Sequence, residues 1–302
     1  MAVVIALGGN ALLPPGGRTD ASVQRANVRI AAVAVAELAA RHDVVVTHGN
    51  GPQIGWLALQ AEAVAGGARP DPLDVLGAES EALIGYLIER ELAPLLAGRE
   101  VATLLTQVEV DPGEAAFRTP TKPIGPLYEG RAQALARARR RGWSIAAVPG
   151  GFRRVVPSPE PRRIRELGVI RRLVCAGVVV ICAGGGGIPV AVTAGGALRG
   201  VEAVVDKDLT AALLASELGA DALLLLTDVA AIYEDWPAPA QRPLRRATPR
   251  QLRARRFAPG SMGPKVEAAC RFVERTGRPA AIGALGDAAH LLAGDAGTLI
   301  SV

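Results

Sequence analysis

Asp206, Lys207 and Asp208 place two carboxylates and an ammonium on consecutive residues at the centre of GVEAVVDKDLTAALL. Val204 and Val205 read as the end of a buried strand and Leu209–Leu218 as the first turns of a helix, so the triplet lies at a strand-to-helix corner. Backbone N–H groups at such a corner favour anions. Lys207 stands out for a second reason. Only three of the 34 basic residues are lysine (Lys122, Lys207 and Lys265), and the other 31 are arginine. A compact ammonium on a flexible stem does not fill the same space as a planar guanidinium. The three lysines lie in TPTKPIGP, VVDKDLT and GSMGPKVE, each beside glycine, proline or acidic residues. Codon bias accounts for one such leftover more easily than for all three in these settings. The expected chemistry is convergence of the lysines on phosphate.

Four turns carry glycine: Gly8-Gly9-Asn10, Gly49-Asn50-Gly51, Gly184–Gly187 and Gly260–Gly263. One such turn alone is ordinary, because α/β turns often use glycine for positive φ. Together they suggest a single crevice at the carboxyl ends of the strands, where open α/β sheets bind ligands. Glycine there lets backbone N–H groups approach phosphate oxygens. No glycine turn continues into Gly-Lys-Ser/Thr, which excludes a Walker A loop, and protein-kinase signatures are missing. Pro189 stands where a GxGxxG pattern needs its last glycine, which argues against a Rossmann dinucleotide site. His48 lacks an obvious carboxylate or nucleophilic partner and reads as a structural hydrogen-bonder.

The elements that must position these residues follow a strand, glycine turn, helix rhythm. Val3–Leu7, Asp43–Val46, Val101–Leu105, Val178–Cys182 and Ala222–Leu226 read as strands, with Ala280–Ile282 and Thr298–Val302 as the last ones. Helical spacing covers Ser22–His42 (with Thr19, Asp20 and Ser22 as candidate caps), the segment after Gly51, Pro72 to Leu96, Glu129–Arg141, Thr248–Arg256 and Val266–Arg275. This alternation predicts an α/β fold with a parallel sheet. A Pro/Gly-rich excursion from about Phe117 to Ile164 breaks the rhythm and carries Lys122; it is a candidate lid. Val190–Thr193 and Ala197–Arg199 read as a hairpin leading to the Asp206 corner.

At 302 residues the chain suits one large α/β unit or two lobes. Half of it is hydrophobic but only 3% aromatic, so Ala, Val and Leu must fill the core. Cys175, Cys182 and Cys270 show neither metal spacing nor an even count, which fits buried packing residues in a reducing cytoplasm. MAVVIALGGN lacks a basic start and soon meets glycine, unlike a secretory signal, and no apolar run is long enough for a membrane span. The net charge of +5 comes with arginine clusters that have no interleaved aromatics, so solvated helix faces are expected rather than a nucleic-acid surface.

Taken in order, IALGGNAL, VVTHGNGPQIG, PTKPIGP, VVPSPEP, GGGGIPV, EAVVDKDL and FAPGSMGPKVEAA resemble carbamate kinase, within the amino-acid kinase superfamily. These motifs run from Ile5 to about Ala269. Relatives that phosphorylate amino-acid carboxylates usually carry Lys in the first turn, where this chain has Asn10. Phe152 is a departure, since Trp is expected there. The resemblance implies a three-layer αβα sandwich with a mainly parallel central sheet and a small protruding lid subdomain. Residues 1–205, with the lid at about 117–164, would bind carbamate or carbamoyl phosphate, and residues 206–302 would bind ADP or ATP. The implied reaction is reversible phosphoryl transfer between carbamoyl phosphate and ADP. Other small-molecule kinases of the fold, and a non-catalytic nucleotide-binding relative, are the alternatives. Gly8, Gly9, Asn10, Gly49, Asn50 and Gly51 would hold the carbamoyl phosphate end. Lys207 and Lys265 would stabilise the transferring group, Asp208 would hold the lysines, and Lys122 would close over the substrate. Gly185, Gly186, Thr227, Asp228, Tyr233, Met262 and Gly263 would bind nucleotide. Mg²⁺ would be held mainly by the nucleotide phosphates, because no cage of carboxylates is visible. A cytoplasmic homodimer in arginine metabolism, with no nucleic-acid or membrane partner, completes what the resemblance implies.

Overall fold

A computed structural model describes residues 1–12, 21–65, 70–234, 241–257 and 262–302, with backbone alone for residues 10, 11 and 21. The expected caps Thr19 and Asp20, and the Gly260-Ser261 pair, lie outside the described residues. The organising element is an eight-stranded sheet. Its order is 246–247, 298–300, 280–284, 222–227, 2–7, 43–48, 179–181 and 101–103. Every neighbouring pair is parallel except Ala280–Ala284 with Thr298–Ile300, which is antiparallel.

Strand Ala2–Leu7 shows why the sequence reads as a continuous apolar run. Val3, Ile5 and Leu7 pack on one face with Val35, Ile84 and Ile88, while Val4 and Ala6 pack on the other with Leu214. Helices Ala21–Ala39, Leu73–Leu92 and Ala288–Ala293 cover the first face. Leu167–Cys175, Lys207–Leu218 and Met262–Thr276 cover the second. A strand buried on both faces has no polar side to show. The result is a three-layer αβα sandwich with a mainly parallel sheet. Leu7 is in register with both His48 and Leu226, so the turns after these three strands emerge together.

Two features of the backbone differ from the sequence reading. Val204 and Val205 are buried as expected, but residues 201–206 form no strand. Val204 N–H donates to Pro157 O at 3.0 Å, so the apolar pair is buried against a crossing segment without a ladder. The excursion is also smaller than its sequence span. Lys122–Tyr128, Gly151–Val156 and Ser144–Val148 make a three-stranded antiparallel sheet with helix Arg131–Arg141. Arg163–Ile164 instead pairs with Gln107–Glu109 in a four-stranded sheet that includes the expected hairpin, Ile188–Val192 with Leu198–Gly200. Short strands such as these carry too few residues to show a period.

The small subdomain rests on helix Gly51–Val64, which follows the Gly49 turn. Ile124 and Val156 pack with Ile54, Ala58 and Val204. A Cβ on Gly55 would fall 2.7 Å from Gly125 N, so the two backbones touch at a pair of glycines. Gly125 has φ +71°, a conformation that favours glycine. The cysteines divide. Cys182 and Cys270 are buried, but Cys175 at the end of its helix is exposed, against the expectation of three packing residues. Among the described residues no helix is long and apolar enough to cross a membrane.

Candidate active site

The Asp206 corner is built by capping. Asp206 is the N-cap of helix Lys207–Leu218, and its Oδ1 accepts from Asp208 N at 2.9 Å and Leu209 N at 3.4 Å. Its Oδ2 accepts from Lys122 Nζ at 3.1 Å, and that ammonium also donates to Val205 O at 3.2 Å. One carboxylate therefore ties the first strand of the subdomain to the start of the helix. Burial alone would raise the Asp206 carboxyl, but the ammonium groups of Lys122 and Lys207 hold it well below the usual carboxylate range.

Asp208 is buried one step along the helix, where Oδ1 accepts from Lys207 Nζ at 2.6 Å and Oδ2 from Lys265 Nζ at 3.2 Å. Lys265 sits in the first turn of helix Met262–Thr276, which packs against helix Lys207–Leu218. Burial lowers the Lys265 ammonium, and the nearby charge of Lys207 lowers it further. Burial would lower Lys207 too, but Asp208 and Asp206 raise it above its ordinary value. The three lysines scattered through the sequence thus meet on two adjacent carboxylates.

The glycine turns close in around this group. Gly8 N–H donates to Leu226 O at 2.8 Å and Gly49 N–H to Leu7 O at 2.9 Å. A Cβ on Gly49 would lie 2.6 Å from Gly9 N and 3.1 Å from Lys207 Cδ, so the lysine stem runs along bare backbone. Gly185 has φ +69°, and its Cβ would fall 2.0 Å from Asn50 Nδ2. Gly186 has φ +99° and lies over Val205, whose carbonyl would be 2.5 Å from an added Cβ. Gly51 is exposed with open space around it, so no contact within the chain requires glycine there. Asn10 lies in the short helix Gly9–Leu12, and its side chain is outside the described residues.

The remaining sequence candidates lie on other elements of the second part of the chain. Thr227 ends its strand and donates to Asp228 Oδ1 at 2.9 Å, with Asp228 exposed. Tyr233 is half-buried in the ribbon Ile232–Glu234 with Arg242–Leu244, while Trp236 of that loop is outside the described residues. Met262 and Gly263 begin the helix that carries Lys265, and Met262 packs against the core.

This geometry has close parallels. The amino acid kinase family model matches residues 1–284. Carbamate kinase of Rhizobium meliloti (strain 1021) is 51% identical over 100% of this chain and 93% of its own length. That of Haemophilus influenzae is 49% identical over 100% of this chain and 97% of its own. The chain belongs to the carbamate kinase family. A solved carbamate kinase from Giardia lamblia bound to AMP-PNP superimposes with a TM-score of 0.89 at 41% identity, covering 99% of this chain and 98% of that one. As a carbamate kinase, the chain is a phosphotransferase.

Sequence reasoning missed the support beneath the glycine run. Helix Leu73–Leu92 buries Gly77, Ser80, Glu81 and Ile84 on its inner face. Glu81 accepts from Gly184 N at 2.8 Å and from Thr106 N at 3.2 Å. Asn50 Nδ2 donates to Ser80 Oγ at 2.8 Å. The available signal was a serine and a glutamate at helical spacing on an otherwise apolar or glycine stripe. His48 is buried as expected of a structural residue, yet its Nε2 has no partner among the described residues. Burial lowers its imidazole to about 4.

Burial pushes the Glu81 carboxyl up to about 8, against the pull of the two backbone N–H groups. The folded chain then holds a proton that the unfolded chain releases above about pH 4.5, so stability falls between there and about pH 8. His48 acts in the opposite direction, with stability rising from about pH 4 to its ordinary value of 6.5. Between 6.5 and 8 only the Glu81 effect remains of these two. Across that range the thermal midpoint of the wild type should drop relative to Glu81→Gln. Parallel pH profiles would show that Glu81 is ionised in the fold.

Proposed function

We propose that the Asp206 corner is the reaction centre for reversible phosphoryl transfer between carbamoyl phosphate and ADP. The observation that carries this reading is Asp208 holding Lys207 and Lys265 beside the Gly9–Gly49 contact. In the direction of ATP formation, a β-phosphate oxygen of ADP attacks phosphorus in line, and the bond from phosphorus to the carbamate oxygen breaks. No proton has to be moved by the protein. Such a reaction needs two anions aligned and their charge neutralised. Lys207 and Lys265 supply that charge to the equatorial oxygens. Asp208 keeps both ammonium groups in place, and the Gly8–Asn10 and Gly49–Gly51 turns hold the carbamoyl end.

The nucleotide end belongs to Thr227, Asp228, Tyr233, Met262 and Gly263 of the second part of the chain, with Gly185 and Gly186 of the first part at its border with the carbamoyl end. Mg²⁺, held mainly by the nucleotide phosphates and not by this chain's side chains, would offset phosphate charge. Among the described residues no three His, Cys, Asp or Glu side chains lie together, and Asp206 and Asp208 are both engaged by lysine. The subdomain acts as a lid that excludes water from a hydrolysable acyl phosphate, with Lys122 as its catch. A cytoplasmic setting suits three cysteines free of disulfides. We also propose a homodimer. Ile30, Val33, Leu83 and Tyr86 are exposed on two helices packed together, and sedimentation at twice the 31.1 kDa chain mass would support it, whereas a monomer would not.

Lys207 tests the reading most sharply, because its stem lies against Gly49 and its ammonium against Asp208. Lys207→Arg preserves charge but fixes its donors in a plane. Removing one charge-stabilising contact costs ~10²–10³-fold in turnover. Both Lys207→Arg and Lys207→Ala should therefore lose at least ~100-fold in coupled ATP formation from carbamoyl phosphate and ADP. Arg139→Lys, on the exposed subdomain helix, should be silent. An active Lys207→Arg enzyme would contradict the assignment.

A further inference from the structure

Ser80 is fully buried, and its hydroxyl donates to Gly77 O at 2.8 Å. A serine hydroxyl has one proton, so Ser80 Oγ can only accept from its other neighbour. That neighbour is the Asn50 amide, whose Nδ2 lies 2.8 Å away. The direction of the amide is therefore fixed by chemistry. Turning it over would set its carbonyl oxygen against the lone pairs of Ser80. With Nδ2 committed, Oδ1 is the free end: it accepts no hydrogen bond from a described residue and is not sealed from solvent.

An acceptor is out of character at this place. The nearby groups that face phosphate are ammonium and backbone N–H groups, which suit oxygen anions. A lone carbonyl oxygen beside Gly49 and against Gly185 repels a phosphoryl group and calls for a donor. Resting on the carbamate kinase reading above, we propose that Asn50 Oδ1 accepts from the amino group of carbamoyl phosphate, and that Ser80 is the positioning residue that turns it that way. The pair would then be a specificity device. Carbamoyl phosphate and acetyl phosphate differ only by NH₂ against CH₃, which are close in size. A site that merely fits shape would take both. A site built to hydrogen-bond a donor rejects an analogue lacking it far more strongly than packing can.

The experiment compares kcat/KM for carbamoyl phosphate and for acetyl phosphate as donors to ADP, in the wild type, Ser80→Ala and Asn50→Ala, with thermal midpoints measured alongside. The wild type should prefer carbamoyl phosphate by ~100-fold or more. Ser80→Ala frees the amide to turn, and the preference should shrink by ~10-fold or more, mainly through loss on carbamoyl phosphate. Asn50→Ala, at the crevice wall rather than under it, should shrink it at least as far, and it decides the matter if Ser80→Ala does not fold. Equal losses on both donors would mark Ser80 and Asn50 as structural and overturn the proposal. So would a wild-type preference below ~10-fold. A wild type that makes no ATP from carbamoyl phosphate would instead defeat the functional reading itself, and this inference with it.

Discussion

Two ammonium groups share one buried carboxylate at the floor of the crevice, and the surrounding structure is arranged to keep them there. Lys207 and Lys265 come from different helices, and Asp208 lies between them at 2.6 and 3.2 Å. Charges of this kind are tolerated away from water only when paired and hydrogen-bonded. The Asp208 backbone is fixed by the Asp206 cap, so the first helical turn cannot drift. The second lysine arrives because helix Met262–Thr276 packs along helix Lys207–Leu218. With Lys122 and Asp206 added, three ammonium groups meet two carboxylates, which leaves the corner one positive charge in excess for an anionic partner.

The glycines serve this charge cluster by letting backbone approach backbone. Gly9 and Gly49 touch where two parallel strands end, and the Lys207 stem fits in the space that a methyl group would have taken. The run from Gly184 to Gly187 is held from behind by Glu81 and Thr106, not by its own turn alone. Ala183 N–H donates to Thr106 Oγ1 and Gly184 N–H to Glu81. A loop with successive positive φ values is a poor conformation by itself, and buried side-chain acceptors are what make it definite. The helix Leu73–Leu92 therefore shapes the site without reaching the crevice surface with a charge.

Much of this was legible in the sequence because chemistry leaves rare residues in rare settings. Three lysines among 31 arginines, each beside glycine, proline or acid, pointed to one cluster, and the structure brings all three together. The apolar runs that end in glycine gave the parallel strands and the common level at which they stop. What stayed hidden has physical reasons. Val204 and Val205 carry the composition of a strand, yet burial and pairing are separate conditions and only the first is met. The subdomain sheet uses proline and glycine within Lys122–Tyr128, residues that weaken any strand pattern. Ser80 and Glu81 interrupt the apolar stripe of a long helix, but only the tertiary contact with Asn50 and Gly184 shows what they support. The exposure of Cys175, at a helix end, was likewise invisible to composition.

In the proposed mechanism Asp208 acts by holding two lysines and not by touching phosphate, so its charge matters more than its shape. Asp208→Asn keeps the shape and removes the charge. Removing one partner of a buried ion pair typically costs about 3–5 kcal/mol, so the comparison belongs well below the melting midpoint of the variant. Turnover of folded Asp208→Asn with carbamoyl phosphate and ADP should fall by ~10²–10³-fold or more. A folded Asp208→Asn enzyme with turnover within ~10-fold of the wild type would show that the lysines find their positions without it.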